Sequence, residues 1–269
     1  MSPSLVVELL CLGTFGGFMA GLLGIGGGMV LVPFMTIIIS HRGVPGDMAV
    51  KMAIATSMAT ILFTSLSSMR AHHKRGAVRW PIVASIAPGI LIGGLLAGAG
   101  AFSLLKGQAL ALFFAAFVGV SATQMLRHRP PRPGRELPGP MGQAAAGTGI
   151  GFVSGLVGAG GGFLSVPFMT WCNVPMHQAV ATSAALGFPI ALSNTLGYLV
   201  GGWALPAALP GAVGYLYLPA LGVVVLASMS MAPLGARAAH AMDVAQLRRV
   251  FALVLYGLAG YMLWKSFHT

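Results

Sequence analysis

Apolar residues run along this chain in blocks of about twenty, the length that crosses the ~30 Å hydrocarbon core of a bilayer as a helix. Short polar links separate the blocks. Residues 81–105 and 107–126 carry no charge, and 250–264 close a further apolar block. The pattern predicts helical spans at 48–68, 81–105, 107–126, 176–200 and 215–233, with a last one ending at 264. Two segments, 4–39 and 141–171, are too long for one span, and glycines interrupt each of them. Residues 127–140, RHRPPRPGRELPGP, read as a linker from their proline and arginine content. The expected fold is an all-α polytopic membrane protein of about 8–10 membrane segments. It divides into a first membrane repeat (1–126), a basic, Pro-rich cytoplasmic linker (127–140) and a second membrane repeat (141–269).

The repeat rests on one stretch. Residues 21–36, GLLGIGGGMVLVPFMT, return without a gap as 155–170, GLVGAGGGFLSVPFMT, at an offset of 134. Matched Gly/Pro-broken apolar segments, one in each half of a membrane chain, point to a transporter's binding site. In hydrocarbon every backbone N–H and C=O needs a partner, so a broken helix persists only where protein or a water-filled cavity supplies one. The runs Gly24, Gly26, Gly27, Gly28 and Gly158, Gly160, Gly161, Gly162 free several amides and let a solute approach the backbone. The helix after each run aims its N-terminal dipole and unpaired N–H groups at the gap, a geometry that binds anions. Pro33 and Pro167, about one turn further on, lack an N–H and would hold the break in place. The competing reading is that the glycines only permit close helix packing; duplication together with the VPFMT tail favours a functional break.

A second echo, at an offset of 126, pairs Ala55-Thr56-Ser57 with Ala181-Thr182-Ser183 and Leu66-Ser67-Ser68 with Leu192-Ser193-Asn194. Thr56, Ser57, Thr182, Ser183 and Asn194 thus join the glycines as candidate substrate contacts. The alternative is that they bond back to their own helix or bridge helices.

Charge then orients the chain. A net charge of +11 would suggest nucleic acid in a soluble protein. Here, however, eleven of fifteen cations fall in three links: Arg70, Lys74, Arg75 and Arg79; Arg127, Arg129, Arg132 and Arg135; Arg237, Arg248 and Arg249. That is the positive-inside pattern, and no nucleic-acid partner is expected. If all three clusters face the cytoplasm, segment 141–171 must cross twice or dip in and return. The same rule applied to 4–39 leaves both termini outside and makes the two repeats inverted. Arg42 and Lys51 on the outer side weigh against this, and parallel four-helix repeats with eight spans are the alternative.

Glu8, Asp47, Glu136 and Asp243 are the only carboxylates, and they lie in links or near span ends, so the buried acid relay of proton pumps is missing. His41 and His177 flank the turns after the breaks, where a solvated or interfacial role is favoured over coupling to protons. Cys11 and Cys172 occupy non-equivalent positions and imply neither disulfide nor metal site, and no cofactor is expected. The N-terminus has no basic n-region or small-residue cleavage site, so no removable signal peptide is read.

With the paired GxGGG…VP breaks, the two ATS triplets and the link SLSSMRAHHKRGAVRW, the chain resembles the sulfite exporter TauE/SafE family over nearly its whole length. The resemblance implies a permease of the bacterial inner membrane that moves sulfite, organosulfonates or related sulfur-containing oxyanions. It carries over to Gly24, Gly26, Gly27, Gly28 and Pro33, and to Gly158, Gly160, Gly161, Gly162 and Pro167. The second half departs after its ATS triplet, where Gly187-Phe188-Pro189 has no counterpart and no basic loop follows. The expected function is secondary transport by alternating access around two facing broken helices, without enzymatic activity. Its expected partners are a small anion and the lipid bilayer; the coupling ion and a homodimer stay open. The alternatives are an anion channel or facilitator, a transporter of another small anionic metabolite, and a membrane subunit without transport of its own. An intramembrane serine protease on Ser154 with His177 or His240 is disfavoured, because GFVSG spaces its glycine differently from GxSG.

Overall fold

The computed structural model describes residues 3–23, 27–127, 134–239 and 244–267. Its helices are α1 (Pro3–Leu23), α2 (Gly28–His41), α3 (Gly46–Lys74) and α4 (Trp80–Leu95), the last running through a π-helical turn, Leu96–Ala101, into α5 (Phe102–Leu104). There follow α6 (Gly107–Arg127), α7 (Pro140–Val157), α8 (Gly162–Trp171), α9 (Met176–Gly202), α10 (Leu218–Ala239) and α11 (Val244–Phe267). Among the described residues, six stretches are long and apolar enough to cross a membrane: Pro3–Ala20, Gly46–Lys74, Trp80–Leu104, Gly107–Leu126, Met176–Gly202 and Leu218–Gly235. The α9–α10 link holds a two-residue antiparallel pair, β1 (Ala212–Val213) with β2 (Leu216–Tyr217). Of the expected linker, residues 134–139 are non-helical. Arg129 and Arg132, like His240 and Asp243, lie outside the described residues.

Each glycine-broken segment is a helical hairpin. α2 runs back along α1: Arg42 pairs with Glu8 at 3.4 Å, and the Phe34 ring meets Phe15 edge-on at 6.5 Å. A Cβ on Gly27 would lie 3.1 Å from that of Ala20. α8 returns towards the start of α7 in the same way. The Gly134 amide donates to the Trp171 carbonyl at 3.3 Å, and the Arg135 guanidinium lies 5.0 Å above the Trp171 ring.

The helices pair in a pattern that is unchanged when the two halves are exchanged. α1 packs along α10 and α7 along α4, while α3 packs on α9 and α6 on α11. The match extends to single residues. Gly13 and Gly17 of α1 seat on Val224, Ala227 and Ser228 of α10, and Gly147 and Gly151 of α7 seat on Ile86 and Ile90 of α4. Missing side chains at these positions let the backbones approach closely, as small-xxx-small patterns do in membranes. α3 and α9 are the central helices, and 83% and 67% of their apolar windows are buried inside the protein.

One face holds the start of α3, the end of α5 and the start of α6, where the Gln108 amide donates to Asp47 Oδ1 at 3.2 Å. The other face, rich in arginine, holds the α3–α4 link and the Trp171–Arg135 contact.

Candidate functional site

The two hairpin tips meet in the interior. Gly27 and Gly161 hold left-handed backbone, φ 55° and 74°, and each precedes the first residue of its returning helix. In α8 the Leu164 and Ser165 amides both donate to the Gly161 carbonyl, which leaves the amides of Gly162 and Phe163 without an intrahelical acceptor. A Cβ on Gly28 would fall 2.3 Å from the Gly158 carbonyl oxygen, so the tips touch backbone to backbone. Gly24 and Gly26 lie outside the described residues. Pro33 and Pro167 sit inside α2 and α8, and in each VPFMT tail the threonine hydroxyl donates to the carbonyl before the proline: Thr36 to Val32 at 2.8 Å, Thr170 to Val166 at 2.9 Å.

A cavity of about 150 Å³ starts at the second tip and runs towards the arginine-rich face. Gly160 and Gly162 form its floor, Ser183, Ala184 and Gly187 of α9 one wall, and Thr64, Ser65, Ser67, Ser68, His72 and Arg75 of α3 the other. Ala20 and Pro233 complete it. It is smaller than the ~300–1,000 Å³ pockets that take drug-sized ligands, which suits a solute of a few heavy atoms. Among the described residues no carboxylate lines it, and the Arg75 guanidinium is the one Lys or Arg charge that does. Hydroxyls, the α8 N-terminus and one cation make it an environment for an anion.

The sequence candidates are distributed unevenly around this cavity. Gly160, Gly162 and Ser183 line it. Gly161 lies behind them against Ile190 and Ser154. Ser183 is hydrogen-bonded to Ser165 at 2.7 Å, and Ser165 donates to the Gly161 carbonyl at 3.0 Å. Thr56 and Thr182 face elsewhere. Thr56 Oγ1 accepts the Tyr217 amide at 3.0 Å where α10 begins, and Thr182 Oγ1 accepts the Arg79 amide at 3.1 Å where α4 begins. These bonds satisfy amides that a helix leaves free at its start. Ser57 is fully buried with no hydrogen-bond partner among the described residues. Asn194 Nδ2 donates to the Ile190 and Gly151 carbonyls, away from the cavity.

Other cavity residues were not singled out in the sequence. Arg75 stands there in a basic, orienting link, and Ser67 and Ser68 only as the counterparts of Ser193 and Asn194. The signal that could have found them was the repeat itself, since Ser68 corresponds to Asn194. Ser154, 2% exposed and beside Gly161, has no hydrogen-bond partner among the described residues, so none of the described histidines is in place to activate it.

The family model described as Sulfite exporter TauE/SafE matches residues 9–262. The chain is 35% identical over 260 residues to a "Probable membrane transporter protein" of Haemophilus influenzae, covering 96% of this chain and 98% of that one. It is 30% identical over 234 residues to "Probable membrane transporter protein YunE" of Bacillus subtilis, covering 77% and 84%. A counterpart in Methanocaldococcus jannaschii, also named as a probable membrane transporter, is 29% identical over 232 residues, covering 80% and 84%. No solved structure matches the chain.

Proposed function

Because the chain belongs to the sulfite exporter TauE/SafE family of membrane transporters, we propose that it carries small sulfur-containing oxyanions, sulfite and organosulfonates, by alternating access around its two facing hairpin tips. The observation that carries this reading is the cavity between the α8 N-terminus and Arg75, which no carboxylate lines among the described residues. Sulfite and sulfonates present several acceptor oxygens. The Gly162 and Phe163 amides, the Ser183 hydroxyl and the Arg75 guanidinium can meet them, and no carboxylate among the described residues lines the cavity to oppose the bound charge.

The halves, 1–126 and 141–269, act as inverted repeats joined by the linker 127–140, in the plan common to secondary transporters. Two features support this: hairpins that return to the face they left, and pairing that survives exchange of the halves. By the positive-inside rule the arginine-rich face is cytoplasmic and the membrane is the bacterial inner one. The cavity then opens inward. The buried rings of Phe102, Tyr198 and Tyr215, packed on one another outside the cavity lining, favour a carrier over an open channel.

The test is uptake into proteoliposomes of sulfite, sulfate, thiosulfate, sulfoacetate and taurine, with and without proton or sodium gradients. Saturable uptake of sulfite or a sulfonate is expected. Failure of all five, with uptake of another metabolite, overturns the substrate assignment.

A further inference from the structure

The far end of the pathway is closed by side chains that the repeat makes equivalent to the cavity wall. At the offset of 126, Ser68 corresponds to Asn194 and His72 to Tyr198. Ser68 and His72 line the open cavity, whereas Asn194 and Tyr198 are fully buried. The Tyr198 hydroxyl donates to the Gly155 carbonyl. Its ring packs on Phe102 at 4.4 Å, and Phe102 meets Tyr215 edge-on at 5.3 Å.

Beneath Tyr215 lies Lys51, only 8% exposed, its ammonium 5.5 Å from the ring centroid. Lys51 donates to the Ser103 carbonyl at 3.2 Å, one bond for a group with three N–H donors. No carboxylate pairs with it among the described residues; Asp47, one turn back on α3, accepts the Gln108 amide instead. Burial, and then the Asp47 carboxylate, hold the Tyr215 phenol above its ordinary range, so the ring stays neutral and is no counter-ion. An interfacial lysine normally extends its charge into water, as exposed Lys106 on the same face does. An ammonium kept inside the protein with no carboxylate at ion-pair distance among the described residues, Asp47 acting on it only from further off, is unfavourable and marks a functional position.

We propose that Lys51 is a second anion-binding residue, capped here by Tyr215, that receives the substrate when the pathway opens to the face opposite the arginine-rich one. This rests on the transport reading above. Arg75 and Lys51 then serve the two ends of α3, about 36 Å apart along the helix at 1.5 Å per residue. Opening on the Lys51 face requires Tyr215 to leave both Phe102 and the ammonium. The strand pair that carries Tyr215 is anchored to α3 by the bond from the Tyr217 amide to Thr56.

Two experiments test this. Radiolabelled sulfite is presented to each face of oriented proteoliposomes containing wild type, Lys51→Gln and Lys51→Arg. Gln keeps an N–H donor for the Ser103 carbonyl but removes the charge, so a merely structural role survives it. The expected result is a KM about thirtyfold higher on the Lys51 face, the lower end of what a desolvated charge pair loses. The change should be much smaller on the arginine-rich face, and Arg should restore most of the affinity. Wild-type KM on both faces for Lys51→Gln overturns the proposal.

The second experiment needs no transport. A membrane-impermeant amine-acylating ester should modify Lys106 but not Lys51 in the wild type, and both in Tyr215→Ala, read by peptide mass spectrometry. Lys51 reacting like Lys106 in the wild type, or staying protected in Tyr215→Ala, overturns the cap. If wild type moves none of the screened anions, the transport reading fails, whatever the acylation result says about the cap.

Discussion

Replacing Gly28 by alanine probes the contact on which the whole arrangement turns. Gly28 does not hold a positive φ, so the change acts through contact and not through backbone strain. The new Cβ would lie 2.3 Å from the Gly158 carbonyl oxygen, 2.8 Å from Ile61 Cδ1 and 3.3 Å from Ala159 Cα. The Ile61 methyl can rotate away, but the carbonyl belongs to the backbone of the opposing tip. Since close C–H···O contacts settle at about 3.3–3.6 Å, the tips must separate by about 1 Å. Overpacking of this kind destabilises by about 1–3 kcal/mol. In a chain of this size that lowers Tm by roughly 2–12 °C at about 2–4 °C per kcal/mol.

The matched control is Gly119→Ala in α6, where a Cβ meets nothing within 4 Å. It should hold or raise Tm, because alanine is the better helix former by about 1 kcal/mol. Thermal unfolding in detergent measures the first effect and proteoliposome uptake the second. Displacing a binding group by about 1 Å should reduce flux by about tenfold or more. A Gly28→Ala protein that melts and transports like wild type would refute the meeting of the tips.

Gly27→Val and Gly161→Val put a β-branched residue into left-handed backbone at each tip; both should insert normally and lose flux, and wild-type uptake by either would reduce the glycines to packing elements. Arg75→Gln should raise KM on the arginine-rich face while Arg75→Lys keeps part of the affinity, and equal KM for all three proteins would remove Arg75 from the site. Ser154→Ala deletes a buried hydroxyl that has no partner among the described residues, so stability should hold or rise by up to about 1–3 kcal/mol with transport unchanged; lower stability would show that the hydroxyl has a structural role instead. Thr56→Val and Thr182→Val orphan the Tyr217 and Arg79 amides and should each lose about 1–3 kcal/mol in thermal unfolding, with serine at either position retaining most of it; unchanged melting would refute the bonds.

Much of the fold was legible because a bilayer makes it local. Whether a stretch such as 107–126 crosses depends on its own hydropathy and length. Whether 21–36 and 155–170 break depends on glycines and a proline within a single turn or two. Parity of the basic links already required the broken segments to return to the face they left, and the hairpins closed by Glu8–Arg42 and Arg135–Trp171 do so. The packing glycines Gly13, Gly17, Gly147 and Gly151 recur at the same offset of 134 but went unread, because their partners on α10 and α4 lie in the opposite half of the chain.

The amino-acid order by itself thus determined the spans and the paired breaks, each a property of residues near one another in the chain. Only the tertiary structure decided which of two equivalent walls lines the cavity. His72 and Tyr198 occupy matching places, yet one faces the cavity and the other is buried against Phe102. Thr56 and Thr182 read as substrate contacts until residues more than 100 positions away brought their own amides to them. A duplicated sequence assigns near-identical chemistry to both halves, and packing in one conformation is what makes their roles differ.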